Sequence, residues 1–168
     1  MTVYDVKRRA FGEDAWSFPA DGDALPQGPA AITKARFLRD RDALLARNAP
    51  LGLVLVAGET FDGIETDVNR FDLIALKFLR YADGRPYSLA RLARERHGFK
   101  GELRAIGDVL RDQITLMLRA GFDALQPTHA GTIAALRDGK IVTVDHYFQP
   151  ATREERREGG YAWRRRPA

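Results

Sequence analysis

Two short and almost unbroken apolar runs mark the chain, LGLVLVAG at Leu51–Gly58 and FDLIALKF at Phe71–Phe78. Each has the length of a strand, and neither alternates with polar residues, which predicts strands covered on both faces. GELRAIG (Gly101–Gly107) and GFDALQP (Gly121–Pro127) supply two further strands. Between these runs the period changes to that of a helix. TKARFLRDRDALLARN sets Phe37, Leu38, Leu44 and Leu45 on one side, with Thr33 capping the first turn and Asn48 and Pro50 ending it. From Tyr87 to His97 the inward stripe is Leu89, Leu92 and Ala93, and Gly98 stops the helix. Asp108 to Ala120 carries a broader stripe of Val109, Leu110, Ile114, Met117 and Leu118. A turn or two of helix is expected near Glu65 to Arg70, another helix over Gly131 to Arg137, and a last strand in KIVTVDHYF.

Helix alternating with apolar strand predicts the α/β class, because parallel neighbours need crossover helices. About four strand–helix units fit, giving a small mostly parallel sheet or part-barrel in one domain spanning residues 32–150. A complete eight-unit barrel takes roughly 250 residues and is excluded by length. Residues 1–31, which include PADGDALPQGPAA, read as an irregular N-terminal segment with at most a short strand around Val3 to Val6. Residues 151–168 read as a basic, flexible tail.

Composition changes this picture chiefly by exclusion. The 168 residues are 45% hydrophobic and 30% charged, the balance of a soluble globular protein. No apolar run approaches the roughly 20 residues that cross a bilayer. MTVYDVKRRAFGEDAW lacks the apolar core of a secretory signal, so a cytoplasmic location is expected. With no cysteine, disulfides, thiolate nucleophiles and cysteine-ligated clusters or zinc are ruled out. His97, His129 and His146 form no short-spaced ligand pair, so no metal site is expected, and no cofactor. The net charge of +4 gathers in TREERREGGYAWRRRPA, which reads as a solvated arm in preference to a nucleic-acid interface.

In an α/β fold, ligands collect at the carboxyl ends of parallel strands. Those ends are Gly58 and Glu59, Arg80 to Arg85, Gly107 and Asp108, and Gln126 and Pro127. ADGRPYS reads first as a turn, with Pro86 entering the next helix and Ser88 helping to cap it. Its functional alternative has Arg85 and Arg91 holding a phosphate, sulfate or carboxylate. Glu102 and Arg104 are two apart and share one face of their strand, which requires that they pair with each other or with neighbours such as Asp83 or Arg85. A structural ion pair is the default there, and a lined pocket the alternative.

Asp108 stands at a helix start, where its carboxylate competes with any anion for the open amides. Asp112 follows one turn on, with Thr115 and Arg119 on the same face, while Gln113 falls within the apolar stripe and needs partners. The candidate binding set is therefore Asp83, Arg85, Ser88, Arg91, Glu102, Arg104, Asp108, Asp112, Gln113 and Arg119. Asp83, Asp108 or Asp112 would serve as general base if there is catalysis. No phosphate loop, G-x-S-x-G elbow, H-E-x-x-H or G-x-G-x-x-G motif is present.

Leu73 to Leu125 closely resembles the bacterial family called domain of unknown function 934, and the likeness extends more loosely from about Thr33 to Pro150. It rests on Asp83, Gly84, Arg85 and Ser88 (DGR-x-x-S), on Ala90, Arg91, Leu92 and Arg94 (ARL-x-R), on GELRA-x-GDVL-x-DQ from Gly101 to Gln113, and on R-x-GFD at Arg119 to Asp123. Ahead of Asp83, Leu79 stands where the family commonly has a proline. Members are often labelled oxidoreductases involved in sulfite reduction. For a chain without cysteine, this implies an accessory protein of assimilatory sulfite reduction without a redox centre of its own. Its partner would be sulfite reductase or another sulfur-assimilation enzyme. The alternative is a small enzyme or binding module for a small anion. A homo-oligomer is compatible with either.

Overall fold

Why the chain forms this sheet follows from the strand order. In the computed structural model, which describes residues 2–80 and 82–141, seven strands are hydrogen-bonded in the order β2-β1-β7-β6-β5-β4-β3. They are β1 Thr2–Asp5, β2 Ala10–Glu13, β3 Ala30–Thr33, β4 Leu51–Val56, β5 Leu73–Phe78, β6 Glu102–Gly107 and β7 Ala124–Pro127. The strands from β3 to β7 are parallel and lie in chain order, so every crossover advances one place in the same direction. Crossovers are right-handed almost without exception, so a winding that never reverses puts all its connecting helices on one face. The protein is thus a single α/β domain with a mostly parallel mixed sheet and four helices, α1 Lys34–Leu45, α2 Arg85–Arg91, α3 Ile114–Ala120 and α4 Ala130–Arg137.

The register separates the two faces. Leu53, Leu55, Ile74, Leu76, Phe78, Leu103, Ala105 and Leu125 alternate onto the helix side and join Phe37, Leu89, Ile114 and Met117 in one apolar core. Phe78 is central to it, with its ring meeting Tyr87 at 5.1 Å and Phe122 at 6.0 Å. The other face carries Gly52, Val54 and Val56 of β4, Leu73, Ala75 and Lys77 of β5, and Glu102, Arg104 and Ile106 of β6. This inner face is buried only over its first half. Gly52, Leu73, Ala75 and Arg104 are buried, whereas Val54 is half-buried and Val56 and Lys77 are exposed. The expectation that β4 is covered on both sides therefore holds for Leu51 to Leu53 and fails toward its end.

The N-terminal segment does the covering, and here the expectation of an irregular residue 1–31 stretch is corrected. Val3 to Val6 was expected as a short strand, and β1 occupies Thr2–Asp5; β2 pairs with it antiparallel, and β1 also pairs with β7. Asp5 Oδ1 accepts from the N–H groups of Lys7 and Arg8, which turns the chain back within four residues. Residues 14–29 are irregular as expected, but they are tied down. Trp16 lies so close over Gly52 that a Cβ there would sit 3.0 Å from its ring and 2.9 Å from Ala31 Cβ. Arg36 donates to Ala20 O (2.7 Å) and Asp23 O (2.6 Å), Arg39 to Asp21 O, and Arg47 to Pro26 O and Gly28 O. Basic residues of α1 and of the turn that follows it thus satisfy carbonyls that a breaker-rich segment cannot pair by itself.

Under this cover sits the most demanding side chain of the domain. Arg104 is 1% exposed, and its Nη1 lies 2.7 Å from Asp14 Oδ2 while its Nε lies 2.7 Å from Glu102 Oε1. The default reading of Glu102 and Arg104 as a structural pair is realised, with Asp14 as the third member in place of Asp83 or Arg85. The Asp14 side chain is itself 2% exposed.

Three local boundaries differ from expectation. α2 begins at Arg85, two residues early, because Asp83 Oδ1 accepts the Arg85 N–H (3.1 Å); Ser88 is exposed inside the helix and caps nothing. Its end widens into a π turn over Leu92–Arg96, closed by His97 N to Leu92 O. The third helix starts later than Asp108. Gly107 has φ +90 and packs so tightly that a Cβ would lie 2.4 Å from Phe78 O, while the Asp108 N–H continues the ladder to that same oxygen. The chain turns tightly at Asp108, where the Val109 N–H reaches back to Gly107 O, runs extended at Leu110, and enters α3 through a 3₁₀ turn at Arg111–Gln113, so Asp108 does not stand at the start of α3. Thr33 caps α1 as expected, by accepting from Arg36 N–H. The expected last strand and the basic tail lie outside the described residues, apart from Lys140 and Ile141, which are not in a strand.

Three outcomes follow from this packing. Asp14→Ala, which strands a buried guanidinium, is expected to cost about 3–5 kcal/mol in urea unfolding, whereas replacing Asp14, Glu102 and Arg104 together by apolar residues costs less. Gly107→Ala is expected to lower the unfolding midpoint further than a typical surface substitution, because its backbone is left-handed and its Cβ has no room. Tyr87 has a buried hydroxyl without a hydrogen-bond partner, and burial, reinforced by the charge of Asp112, pushes its pKa up to about 12. The raised folded-state value means that its stabilising contribution is full below pH about 10 and is lost as pH rises through about 12. The phenolate absorbance titration of wild type minus Tyr87→Phe should show this late-titrating group.

Candidate functional site

The carboxyl ends of β4 to β7 do bring their following loops to one edge of the sheet, as a parallel array requires. Asp83 and Arg85 meet there in a two-pronged pair, Nε to Oδ1 at 2.9 Å and Nη2 to Oδ2 at 2.8 Å. The remaining Nη1 of Arg85 reaches across to the β4 end, 3.3 Å from where a Cβ on Gly58 would stand. The hydrogen bond from Arg85 holds the Asp83 carboxyl below the usual carboxylate range, which suits an ion pair better than a general base working near neutrality.

The other candidates are dispersed. Arg91 lies exposed on α2 and pairs one turn on with Glu95 at 3.1 Å. Arg104 lies on the inner face, sealed with Asp14 and Glu102, and no contact among the described residues joins Arg85, Arg91 and Arg104 to one another. Ser88 and Asp112 are exposed, and Asp108, Gln113 and Arg119 are half-buried around the β6–α3 connection and α3. Asp112 faces Tyr87 across the start of α2 and contributes to its raised pKa. Contacts join Asp83 with Arg85, and Glu102 with Arg104.

Arg94, which the helical pattern turned away from the core stripe, is the family-motif residue with the heaviest structural duty. A guanidinium has five N–H donors, and Arg94 uses all of them. Nε and Nη2 donate to Gly121 O, Nη1 to Phe99 O (2.7 Å) and Gly101 O (3.0 Å), and Nη2 also to Asp123 Oδ2. Its carbon plane stacks on Phe99, 5.3 Å from the ring centre. Asp123 Oδ2 in turn accepts from Leu103 N–H. The ARL-x-R and R-x-GFD segments are thus two halves of one fastening between the β6 and β7 entries. Both segments carry the family resemblance, and nothing in the sequence told that they meet or that most of the partners of Arg94 are main-chain oxygens.

This fastening borders an open groove of about 530 Å³ at the amino ends of the parallel strands, lined by Val3, Asp5, Lys7, Lys100 and Glu102 among others. Of the candidate set only Glu102 touches it. The groove is therefore at the end of the sheet opposite the one where sequence reasoning placed the site.

Two features at the carboxyl edge were not anticipated. Val56, 36% exposed, stands on the inner side of the sheet in register with exposed Lys77 and, beyond it, half-buried Ile106, and Leu79, 56% exposed, lies in the bend that follows β5. At β7, Thr128 Oγ1 lies 3.4 Å from Gly107 O, and the chain turns at His129 into α4. No group of three or more His, Asp or Glu side chains among the described residues is arranged to hold a metal ion. No helix among them is long and apolar enough to cross a membrane.

No protein of curated function matches the chain. Residues 52–157, well over half of it and including β4 through α4, match the family described as "Bacterial protein of unknown function (DUF934)", and the chain belongs to that family.

Proposed function

We propose that the protein is a cytoplasmic accessory component of assimilatory sulfite reduction, which works by docking onto sulfite reductase or a neighbouring enzyme and carries no redox centre of its own. The observation that carries the docking half of this reading is the unfinished inner face. Its first half is roofed by Trp16 and the Arg104 cluster, and its second half presents Val56 and Lys77 to solvent, with exposed Leu79 in the bend that follows β5. Exposed apolar side chains grouped on one surface are a recurrent mark of an interface. Meanwhile the charged residues that identify the family are largely engaged in holding the scaffold, as at Arg94, Arg104 and the Asp83–Arg85 pair. The sulfite half rests on the family resemblance. A chain without cysteine has no thiolate to bind an iron–sulfur cluster, so contact with an enzyme that has one is the economical route to such a role.

The anion-binding alternative keeps one supporting observation, the Nη1 of Arg85 facing Gly58 at the sheet edge. Arg91 and Arg104 give it less, since both already have carboxylate partners.

Immobilised protein is expected to retain sulfite reductase from the same bacterium, and Leu79→Asp with Val56→Asp should weaken that retention about tenfold or more, a central interface substitution being worth roughly 2 kcal/mol. Sulfite-reduction rates measured with and without the protein should change in parallel. No retention and no change in rate would remove this reading.

A further inference from the structure

We propose that β2 is a self-association surface, where a second copy of this chain lays its own β2 antiparallel across a two-fold axis and joins the two sheets into one. This goes beyond the docking role and uses none of the same side chains.

The first observation is an open sheet edge. β2 ends the sheet on one side and is hydrogen-bonded to β1 along its inner flank, from Thr2 facing Glu13 to Asp5 facing Ala10. Among the described residues no backbone bond reaches its outer flank. The N–H and C=O groups that alternate along that flank are a template for another strand. The opposite edge is treated differently. β3 is buried and Ser17 lies along it, with Ser17 N donating to Pro29 O at 3.1 Å and Ala31 N donating to Ser17 O at 2.8 Å. The chain closes that edge itself and leaves β2 uncovered among the described residues.

The second observation identifies the partner. Ala10, Phe11 and Gly12 carry no charge, whereas Lys7, Arg8 and Arg9 precede them and Glu13 ends the strand. All four charged residues are exposed. An antiparallel copy sets the basic end of each strand beside the acidic end of the other, while a parallel one would set like charges together. The strand is therefore its own complement, and a two-fold pairing is complete with two copies.

The register follows from Asp14, which is sealed with Arg104 and so withheld from the edge. Pairing centred on Gly12 would call Asp14 into the ladder. Pairing centred on Phe11 needs only Arg9 to Glu13, and it places the two Phe11 rings opposite each other and Gly12 opposite Ala10. Phe11 packs on the core yet is half-buried, its ring 5.2 Å from that of Tyr4 and 5.6 Å from the guanidinium carbon of Arg137. A ring already held in place gains a cross-strand neighbour at little further loss of freedom. On the other face of the strand a Cβ at Gly12 would meet nothing within 4 Å, so nothing there obstructs an incoming chain. An edge this short buries less than a standard interface, which makes the dimer reversible, with a Kd of about 10–100 μM.

The test is sedimentation equilibrium of the full chain from about 1 μM to 1 mM, a span that brackets this Kd. A concentration-dependent dimer is expected, and the β2 amides should gain hydrogen-exchange protection as it forms. Glu13→Arg and Arg9→Glu, each of which sets like charges side by side twice in the dimer, should each weaken association about tenfold, and the two changes together should restore it to within about threefold. Such rescue is not produced by a general loss of stability, and both positions are exposed. A chain that stays monomeric throughout the range, a dimer whose β2 amides gain no protection, or a dimer indifferent to both charge reversals overturns the proposal. So does a dimer that Val56→Asp breaks and Glu13→Arg does not, which would put the contact on the inner face.

Discussion

A guanidinium sealed within a parallel sheet is the constraint from which much of this architecture follows. Arg104 lies in β6, one strand in from β7 and flanked by Ala75 and Ala124 in register, at a depth where an unpaired charge is not tolerated. Glu102 on the same strand can reach it, but only from the partly exposed end of the row. Asp14 arrives from 90 residues earlier in the chain and closes the other side. That one contact fixes where the N-terminal segment must run, and Trp16 and Phe18 follow it across the sheet, the latter with its ring 6.0 Å from the guanidinium carbon. The small residues of the inner face, Ala31, Gly52 and Ala75, are what allow a segment of irregular backbone to lie so close.

Winding in one direction sets the second level of organisation. A doubly wound sheet reverses its strand order and opens a crevice at the reversal. Here β3 to β7 never reverse, so the sheet has a helical face and a second face that, among the described residues, the N-terminal segment protects. That segment covers about half of it. The other half holds the exposed Val56 and Lys77, with exposed Leu79 in the bend after β5.

Much of this was legible in the sequence. The two apolar runs and the two mixed segments GELRAIG and GFDALQP are β4 to β7, pointing the same way, and for the first two uninterrupted hydrophobicity over five or six residues has few other uses in a chain of this length. α1 and its Thr33 cap were equally plain. What could not be read was every feature that depends on long-range partners. Asp14 looks like any acidic residue in a polar segment until Arg104 meets it, and β2, whose AFGE sequence is mostly exposed, has no hydrophobic period to betray it. The candidate site was read by proximity to strand ends, a criterion that over-weighted charge. Arg85, Arg91 and Arg104 looked like a cluster on that criterion, whereas each had found a separate carboxylate.

The fastening made by Arg94 has a consequence for how such a chain can drift. Four of its five bonds end on carbonyl oxygens, those of residues 99, 101 and 121, and every amino acid supplies a carbonyl. None of those four bonds reads a side chain at its far end, yet the corner still calls for glycine at 101, where a Cβ would lie 2.6 Å from Asp72 O, for glycine at 121, where φ is +98, and for the ring of Phe99 under the guanidinium. The freedom to drift at this corner is therefore set by backbone space and not by the hydrogen-bonding chemistry of the neighbouring side chains.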